Sequence, residues 1–413
     1  MSAAPPRIDA DRLLKRLDAF AAVGATPRGG VDRQALTVGD REVRAMLAGL
    51  GVARGFTVEQ DAAANLFLRR SGTDGALPPL LLGSHLDTQP TGGRFDGALG
   101  VLAGFEVLEA LEDAGVATRR AVELAVWTNE EGSRFLPGCL GSQAFAAGAL
   151  SPEWAGRHGP DGARLGDELA ATLDALPGAA LRPLGRPISA YLELHIEQGP
   201  VLEREGLAIG AVTGIQGTRW LEVTITGAAA HAGTTPPAYR RDPMVAAAAA
   251  LHRLAGVMAR DGLARLTVGR IRAEPGSINA VPERVVLTLD LRHPDAEALD
   301  AIERMVREEL GQAATEARCE ASATVVFDMA PVAFDAAMVA LVEASAAVAG
   351  HASRRLVSGA FHDALFLARL APAAMIFVPC RDGISHNEAE FVEPRFAVAG
   401  AETLLEATLR AAV

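Results

Sequence analysis

The segment Gly83 to Gly100, GSHLDTQPTGGRFDGALG, places His85, Asp87 and Asp96 among glycines directly after the apolar run PPLLL. Polar groups at the end of a buried strand are costly unless they find partners. Imidazole and carboxylate together are donors suited to divalent metals. Three further segments raise the same possibility. WTNEEGSRF carries Glu130 and Glu131 after an apolar run ending at Trp127. Adjacent carboxylates repel and point differently, which suits a division in which one coordinates a metal and the other moves a proton. ELHIEQGP sets His195 between Leu194 and Ile196, and DGISHNEAE puts His386 in a loop after an apolar run ending at Pro379.

His85 and Asp87 lie two apart on an extended segment and face the same side, which lets Asp87 fix the ring of a metal-binding His85 from behind. Each cluster also has a plain structural reading. Asp96 opens the helical run FDGALGVLAGFEVLEAL, and for that residue alone an N-cap is the favoured reading. A Glu-Glu pair often belongs to a solvated loop, and a lone histidine on a strand or loop is more often a hydrogen-bonded structural residue than a ligand. Together, however, the clusters bring His, Asp, Glu, His and His to four strand ends. That is what two divalent ions sharing one carboxylate require.

The elements that must position these residues fall into two styles. Up to about Thr213 the chain alternates helix with short strands buried on both faces: a helix over Arg12 to Phe20, and strands over Leu80 to Leu82, Val122 to Trp127 and Ile188 to Leu194. Such strands predict a mostly parallel sheet covered by helices, and ligands bind where the strand ends of an open α/β sheet converge. After Gly214 the pattern changes. RWLEVTITG alternates like a half-wet strand, Arg241 to Arg260 reads as a helix, and LTVGRI and RVVLTLDLR read as strands. A helix over Ala296 to Glu316 and a strand over Ala323 to Met329 follow. This β-α-β-β-α-β order is the ferredoxin-like split unit. From Pro331 the first style returns, with helices near Asp335 to Val348 and Asp363 to Leu370, the strand Ala373 to Pro379, and a helix near Phe396 to Leu409. The expected fold is therefore α/β. Residues 1–213 and 331–413 form a catalytic domain with a mostly parallel sheet, and an α+β domain is inserted over 214–330.

Composition narrows the classes of partner. A chain of 413 residues exceeds the usual size of a single core, and 49% hydrophobic with 22% charged residues is the make-up of a folded protein. The net charge of -12 argues against neutralising phosphates or anionic lipid, so neither nucleic acid nor membrane is expected as a partner. No uninterrupted apolar run reaches about 18 residues and the N-terminal stretch lacks a leader pattern, so a cytoplasmic location is expected. Cys139, Cys319 and Cys380 form no C-x-x-C pair and read as small core residues.

Over nearly the whole chain, from about residue 12 to 410, these motifs resemble the dinuclear-metal aminoacylase and carboxypeptidase superfamily. Within it they resemble the hydantoinase/carbamoylase group of N-carbamoyl-L-amino acid hydrolases, β-ureidopropionases and allantoate amidohydrolases. The pieces that carry the resemblance are GSHLDTQPTGGRFDG, WTNEEGSRF, LELHIEQGPVLE, HAGTTP, PGSINAVPE, DLRHPD and MIFVPCRDGISHNEAE. The wording of DTQPTGGRFDG and WTNEEG is closer to the carbamoylase branch.

The resemblance implies two divalent ions per subunit, Zn, Mn, Co or Ni. His85, Asp96 and His195 hold one, and Asp96, Glu131 and His386 hold the other, so that Asp96 bridges. It implies that Asp87 supports the site and that Glu130 is the general base. His231 of HAGTTP, otherwise an ordinary surface histidine, becomes an oxyanion donor reaching the partner subunit's site in a homodimer joined through the inserted domain. Asn279 and Arg292 become the grip on the substrate carboxylate, a task suited to a two-pronged guanidinium, although Arg292 alone reads as an exposed strand-end charge. Gln198 and His362 become substrate contacts. One departure stands out: in SGAFHDA the family usually has glycine where this chain has Phe361, next to His362.

The implied activity is hydrolysis of an N-carbamoyl-L-amino acid, or N-carbamoyl-β-alanine, to the amino acid, carbon dioxide and ammonia. The alternatives are allantoate or another N-acyl amide as substrate and, in another class, a noncatalytic ligand-binding relative. A complete ligand set with Glu130 beside it argues against the last.

Overall fold

The computed structural model describes residues 5–258 and 261–412. The chain divides into two compact units, Met1–Thr213 with Phe334–Val413, and Gly214–Ala333.

In the first unit, four parallel strands form the centre of the large sheet, in the order Ala373–Val378, Ala190–Ile196, Leu80–His85 and Val122–Trp127. Every residue of these four strands is buried, as expected where helices cover both faces of a parallel sheet. Antiparallel strands Leu66–Arg70 and Thr57–Gln60 extend the sheet beyond Val122–Trp127, and Ile209–Ile215 runs antiparallel beside Ala373–Val378. The sheet is thus mostly, not wholly, parallel.

The helix Ala98–Asp113 is buried almost throughout and packs on Leu80–His85 and Ala190–Ile196. Its apolar residues run all the way round, the pattern of an interior helix. The helix Ala10–Ala21 is capped by Asp9, which accepts from Arg12 N. Arg12 and Arg16 pair with Glu106 and Glu109 of the buried helix, tying the two together.

Register brings the chemistry to one rim. His85 lies opposite Trp127, and His195 lies opposite Phe377, each pair at the C-terminal ends of parallel strands. The strand over Leu80 runs on to His85, three residues further than expected, because Gly83, Ser84 and His85 remain buried in the ladder. The expected helix over Asp363 to Leu370 is only Ala364–Leu367, because beyond it the backbone bonds of Arg369 and Leu370 tighten into turns.

The second unit is a four-stranded antiparallel sheet in the order Arg265–Glu274, Arg284–His293, Gly217–Thr226, Glu320–Met329, with the helices Pro243–Met258 and Ala296–Glu316 packed on it. Residues 259 and 260 of the expected helix lie outside the described residues. Arg284–His293 alternates between buried and wetter positions along its length, the period-two signature of a strand with one covered face. Val285, Leu287, Leu289 and Leu291 join Leu221, Val223 and Ile225 in one core with the two helices. The three cysteines are buried and free. Among the described residues no helix is long and apolar enough to cross a membrane.

Candidate metal centre and active site

Two buried arginines hold the backbone from which the rim is built. Arg33 Nε donates to Leu86 O at 2.9 Å, just past His85, and Arg44, paired with Asp40, donates to the Trp127 carbonyl at 3.4 Å. On this support the two histidines are oriented alike. His85 Nδ1 donates to the Asp87 backbone carbonyl at 2.9 Å, and His195 Nδ1 to the Ile196 carbonyl at 3.0 Å. A carbonyl can only accept, so each ring carries a proton on Nδ1, and in its neutral form presents a bare Nε2.

Both Nε2 atoms face Asp96, at 3.7 Å from His85 and 3.1 Å from His195. With the ring neutral, the His195 approach brings two acceptors together, which leaves this buried Nε2 without a hydrogen-bond partner among the described residues. His386 Nε2 approaches the other oxygen of Asp96 at 3.6 Å and Glu131 Oε2 at 3.3 Å. The donor atoms of His85, Asp96 and His195 lie within 4.8 Å of one another, as do those of Asp96, Glu131 and His386. Asp96 is common to both sets.

Asp96 is not a helix cap. The N-cap of Ala98–Asp113 is Gly97, and no side chain caps that end. Gly97 takes φ 63°, and a Cβ there would meet the His85 ring at 2.4 Å. Only glycine turns the chain this close to the imidazole, which leaves the Asp96 carboxylate aimed at the histidines.

Asp87 works differently from the support expected of it. Its carboxylate stays 3.8 Å from His85 Nδ1 and instead accepts the backbone N–H of Glu130 and Glu131, at 3.3 and 3.2 Å. It therefore fixes the loop bearing both glutamates, while its carbonyl fixes the His85 ring. Asn129, at φ 55°, holds the same loop by donating to Phe135 O and Pro137 O. Glu131 accepts from Gln89 N and Gln89 Nε2. Glu130 lies 3.5 Å from His85 Nε2 and receives a weak Cys139 Sγ–H contact at 3.4 Å.

Burial and crowding of like charges dominate the electrostatics of this rim. Burial, then the charges of Asp363, Glu131 and Asp87, pushes Glu130 well above the usual carboxylate range. Burial, then Asp96 and Asp87, does the same to Glu131. Burial lowers His85 to about 4. For His195, burial also disfavours charge, but Asp96 and then Glu193 outweigh it and raise the ring to about 9. Burial raises Asp96 too, yet His195, then His85 and His386, bring it below the ordinary range. Crowded carboxylates drawing protons onto themselves and onto a histidine express a demand for positive charge, which a divalent cation meets. The tautomers, the orphaned Nε2 and this charge balance all fit a metal.

The other expected residues divide by unit. Gln198 donates from Nε2 to Asp96 Oδ2 and to Ser385 Oγ, both at 2.9 Å. His362 is buried with its ring 4.5 Å from the His195 ring, and its Nε2 meets Ser358 Oγ at 2.9 Å. Phe361 beside it is half-buried. In the second unit, His231 and Asn279 are exposed on paired short strands and a turn, and Arg292 is held by Asp290 through Nε at 2.9 Å and Nη2 at 2.8 Å.

Sequence reasoning passed over several contributors. Ser385 and Glu390 flank His386 inside the quoted DGISHNEAE, and Gln89 stands inside DTQPTGG. Their signal was adjacency to a ligand. Glu193, two residues before His195, is wholly buried and accepts from Tyr191 OH, Ser84 Oγ and Ala364 N. Nothing in its spacing distinguishes it from a core position.

Residues 81–410 match the model of peptidase family M20/M25/M40. The chain belongs to that family. As an M20 protein it is 41% identical over 98% of its length to an N-carbamoyl-L-amino-acid amidohydrolase of Rhizobium meliloti, covering 97% of that protein. It is 40% identical over 96% of its length to an N-carbamoyl-L-amino acid amidohydrolase of Geobacillus stearothermophilus, again covering 97%. Its structure matches that of an amidase of the hydantoinase/carbamoylase family from Burkholderia multivorans with a TM-score of 0.94, at 42% identity and 99% coverage of both chains. The resemblance read from the motifs is borne out, as is the α/β fold class.

Proposed function

We propose that this M20 amidohydrolase cleaves the carbamoyl amide of N-carbamoyl-L-amino acids, with N-carbamoyl-β-alanine in the same substrate class. One observation carries the reading: Glu130 stands beside His85 at a rim where two donor sets share Asp96, in a chain so close to two N-carbamoyl-L-amino acid amidohydrolases.

His85, Asp96 and His195 would hold one divalent ion, and Asp96, Glu131 and His386 the other, drawn from Zn, Mn, Co or Ni. Bound there, such ions supply a water of lowered pKa and Lewis acidity toward the carbonyl oxygen. Glu130 takes the proton of the attacking water on its carboxylate and returns it to the departing nitrogen. Asp87 keeps Glu130 in place through the backbone. The carbamoyl group leaves as carbon dioxide and ammonia, and the amino acid is freed.

His231 supports the reading from the second unit. The N–H groups of Gly233 and Thr234 donate to its Nδ1 at 3.1 and 3.2 Å, so the neutral ring carries its proton on Nε2. An exposed Nε2–H is a donor ready for an oxyanion. Arg292 and Asn279 take the substrate carboxylate, with Gln198 and His362 contacting the substrate near the metals. We further infer that the inserted unit acts as a lid and joins a homodimer, so that closure completes the site.

The test is the initial rate of amino acid release by enzyme reconstituted with Mn or Zn. The panel contains N-carbamoyl-L-amino acids, N-carbamoyl-β-alanine, allantoate and N-acetyl amino acids. Preference for carbamoyl substrates is expected. Turnover of allantoate or acetyl substrates alone would reject the substrate assignment while keeping the chemistry, and a Phe361→Gly variant run on the same panel shows whether that ring sets the choice.

A further inference from the structure

We propose that Glu390 is the positioning residue for Asp96, and that it sets how tightly the two-ion site binds metal. The inference rests on the functional reading above but concerns a residue that takes no part in the reaction.

Glu390 is 3% exposed and follows His386 by four residues. Its Oε1 accepts two consecutive backbone N–H groups, Phe95 at 2.9 Å and Asp96 at 3.0 Å. These amides stand just before the helix Ala98–Asp113, whose N-cap offers no side-chain acceptor. Without Glu390 they would be buried donors lacking a partner, a costly state. The chain wraps closely round the carboxyl group: a Cβ on Gly93 would lie 1.9 Å from its carbon.

The Asp96 side chain is held by Ser385, in the same loop as Glu390. Ser385 Oγ donates to Asp96 Oδ2 at 2.8 Å and lies 3.4 Å from Glu390 Oε2. A hydroxyl has one proton, and the shorter contact claims it, so Ser385 steers Asp96 while its oxygen accepts from Gln198 Nε2 at 2.9 Å. Phe95 and Phe391 meet edge to face at 6.0 Å, fastening the same two segments a second time. Backbone and carboxylate of Asp96 are therefore both referred to the loop that carries His386. This explains how ligands 290 residues apart in sequence keep a fixed spacing across a shared site. Residues that orient ligands in this way affect metal affinity about 10- to 100-fold when removed.

The experiment is calorimetric titration of MnCl2 into chelator-stripped full-length protein, with thermal unfolding of the metal-free form followed in parallel. Glu390→Ala is expected to weaken Mn binding by roughly 10- to 100-fold. Glu390→Gln retains a carbonyl oxygen for both N–H groups and is expected to stay within about threefold of the wild type, because the acceptor matters here more than the charge. Wild-type affinity in Glu390→Ala would overturn the proposal. So would equal losses in Glu390→Ala and Glu390→Gln, which would assign the effect to charge or to general packing. If Glu390→Ala does not fold, Glu390→Asp decides: it keeps the charge but draws the carboxylate back from the Phe95 and Asp96 N–H groups, is expected to weaken Mn binding severalfold while Glu390→Gln does not, and at wild-type affinity would sink the idea. A wild-type protein that binds no Mn would instead reject the metal-dependent function itself.

Discussion

Apart from His386, which is exposed, the two units hold their expected functional residues in opposite ways. In the first, His85, Asp96 and His195 are at most 4% exposed, each fixed by backbone contacts, on strands buried on both faces or directly beside them. In the second, His231 and Asn279 lie at the surface and Arg292 is only partly covered. The first set is built like a reaction centre, where desolvation strengthens every charge interaction. The second has the construction of groups that engage a ligand from outside, and their removal should leave the fold intact. Substitutions in each unit can therefore break or sharpen the contrast.

The largest effect is expected at Glu130. If Glu130 is the base, Glu130→Gln keeps the shape and removes that function, so turnover should fall about 10²- to 10⁴-fold. Metal content should stay at the wild-type level, because neither donor set includes Glu130. Activity and bound metal measured on one preparation check both halves. Turnover equal to the wild type would reject the role, and joint loss of metal and turnover would make Glu130 a ligand.

His231 comes next. It is exposed, and its ring accepts two N–H groups within its own unit, so His231→Ala should leave the melting temperature unchanged. Loss of an oxyanion donor should lower kcat about 10²- to 10³-fold with little change in KM. A drop in melting temperature with kcat preserved would place His231 among structural residues and remove the contrast between the units at this position.

The same contrast governs how much could be read from the sequence. The strands over Val122–Trp127 and Ala373–Val378 were legible because a short, continuous apolar run closed by turn residues suits a strand covered on both faces. The second unit was legible because its alternation follows a period of two. Asp96 was legible only as a member of a set, since a carboxylate ahead of a helix equally suits a cap; that Gly97 and not Asp96 holds the cap position appears only in three dimensions. Asp87 shows the limit most plainly. Its spacing from His85 suggested a carboxylate–imidazole contact, yet the carbonyl makes that bond and the carboxylate holds the Glu130 loop. Spacing along a strand defines which side a residue faces, not which of its atoms is used. Glu390 and Arg33 act through backbone amides and carbonyls distant in sequence, and such partners carry no local pattern.

Arg292 offers the finest test, because it lies between the two modes: reachable, yet oriented by Asp290. If it grips the substrate carboxylate, Arg292→Ala should remove a charged hydrogen bond worth about 1.5–3 kcal/mol, raising KM roughly 10- to 100-fold with kcat nearly unchanged. Arg292→Lys keeps the charge but not the fork, and should fall between the two. A substrate whose carboxylate is replaced by a carboxamide separates this grip from general damage. The wild type should discriminate strongly against the carboxamide, and Arg292→Ala should lose most of that discrimination, since the two changes remove the same interaction. If the variant still rejects the carboxamide as strongly as the wild type does, the carboxylate is bound elsewhere. The Arg292 and Asp290 pair would then be a structural feature of the strand Arg284–His293.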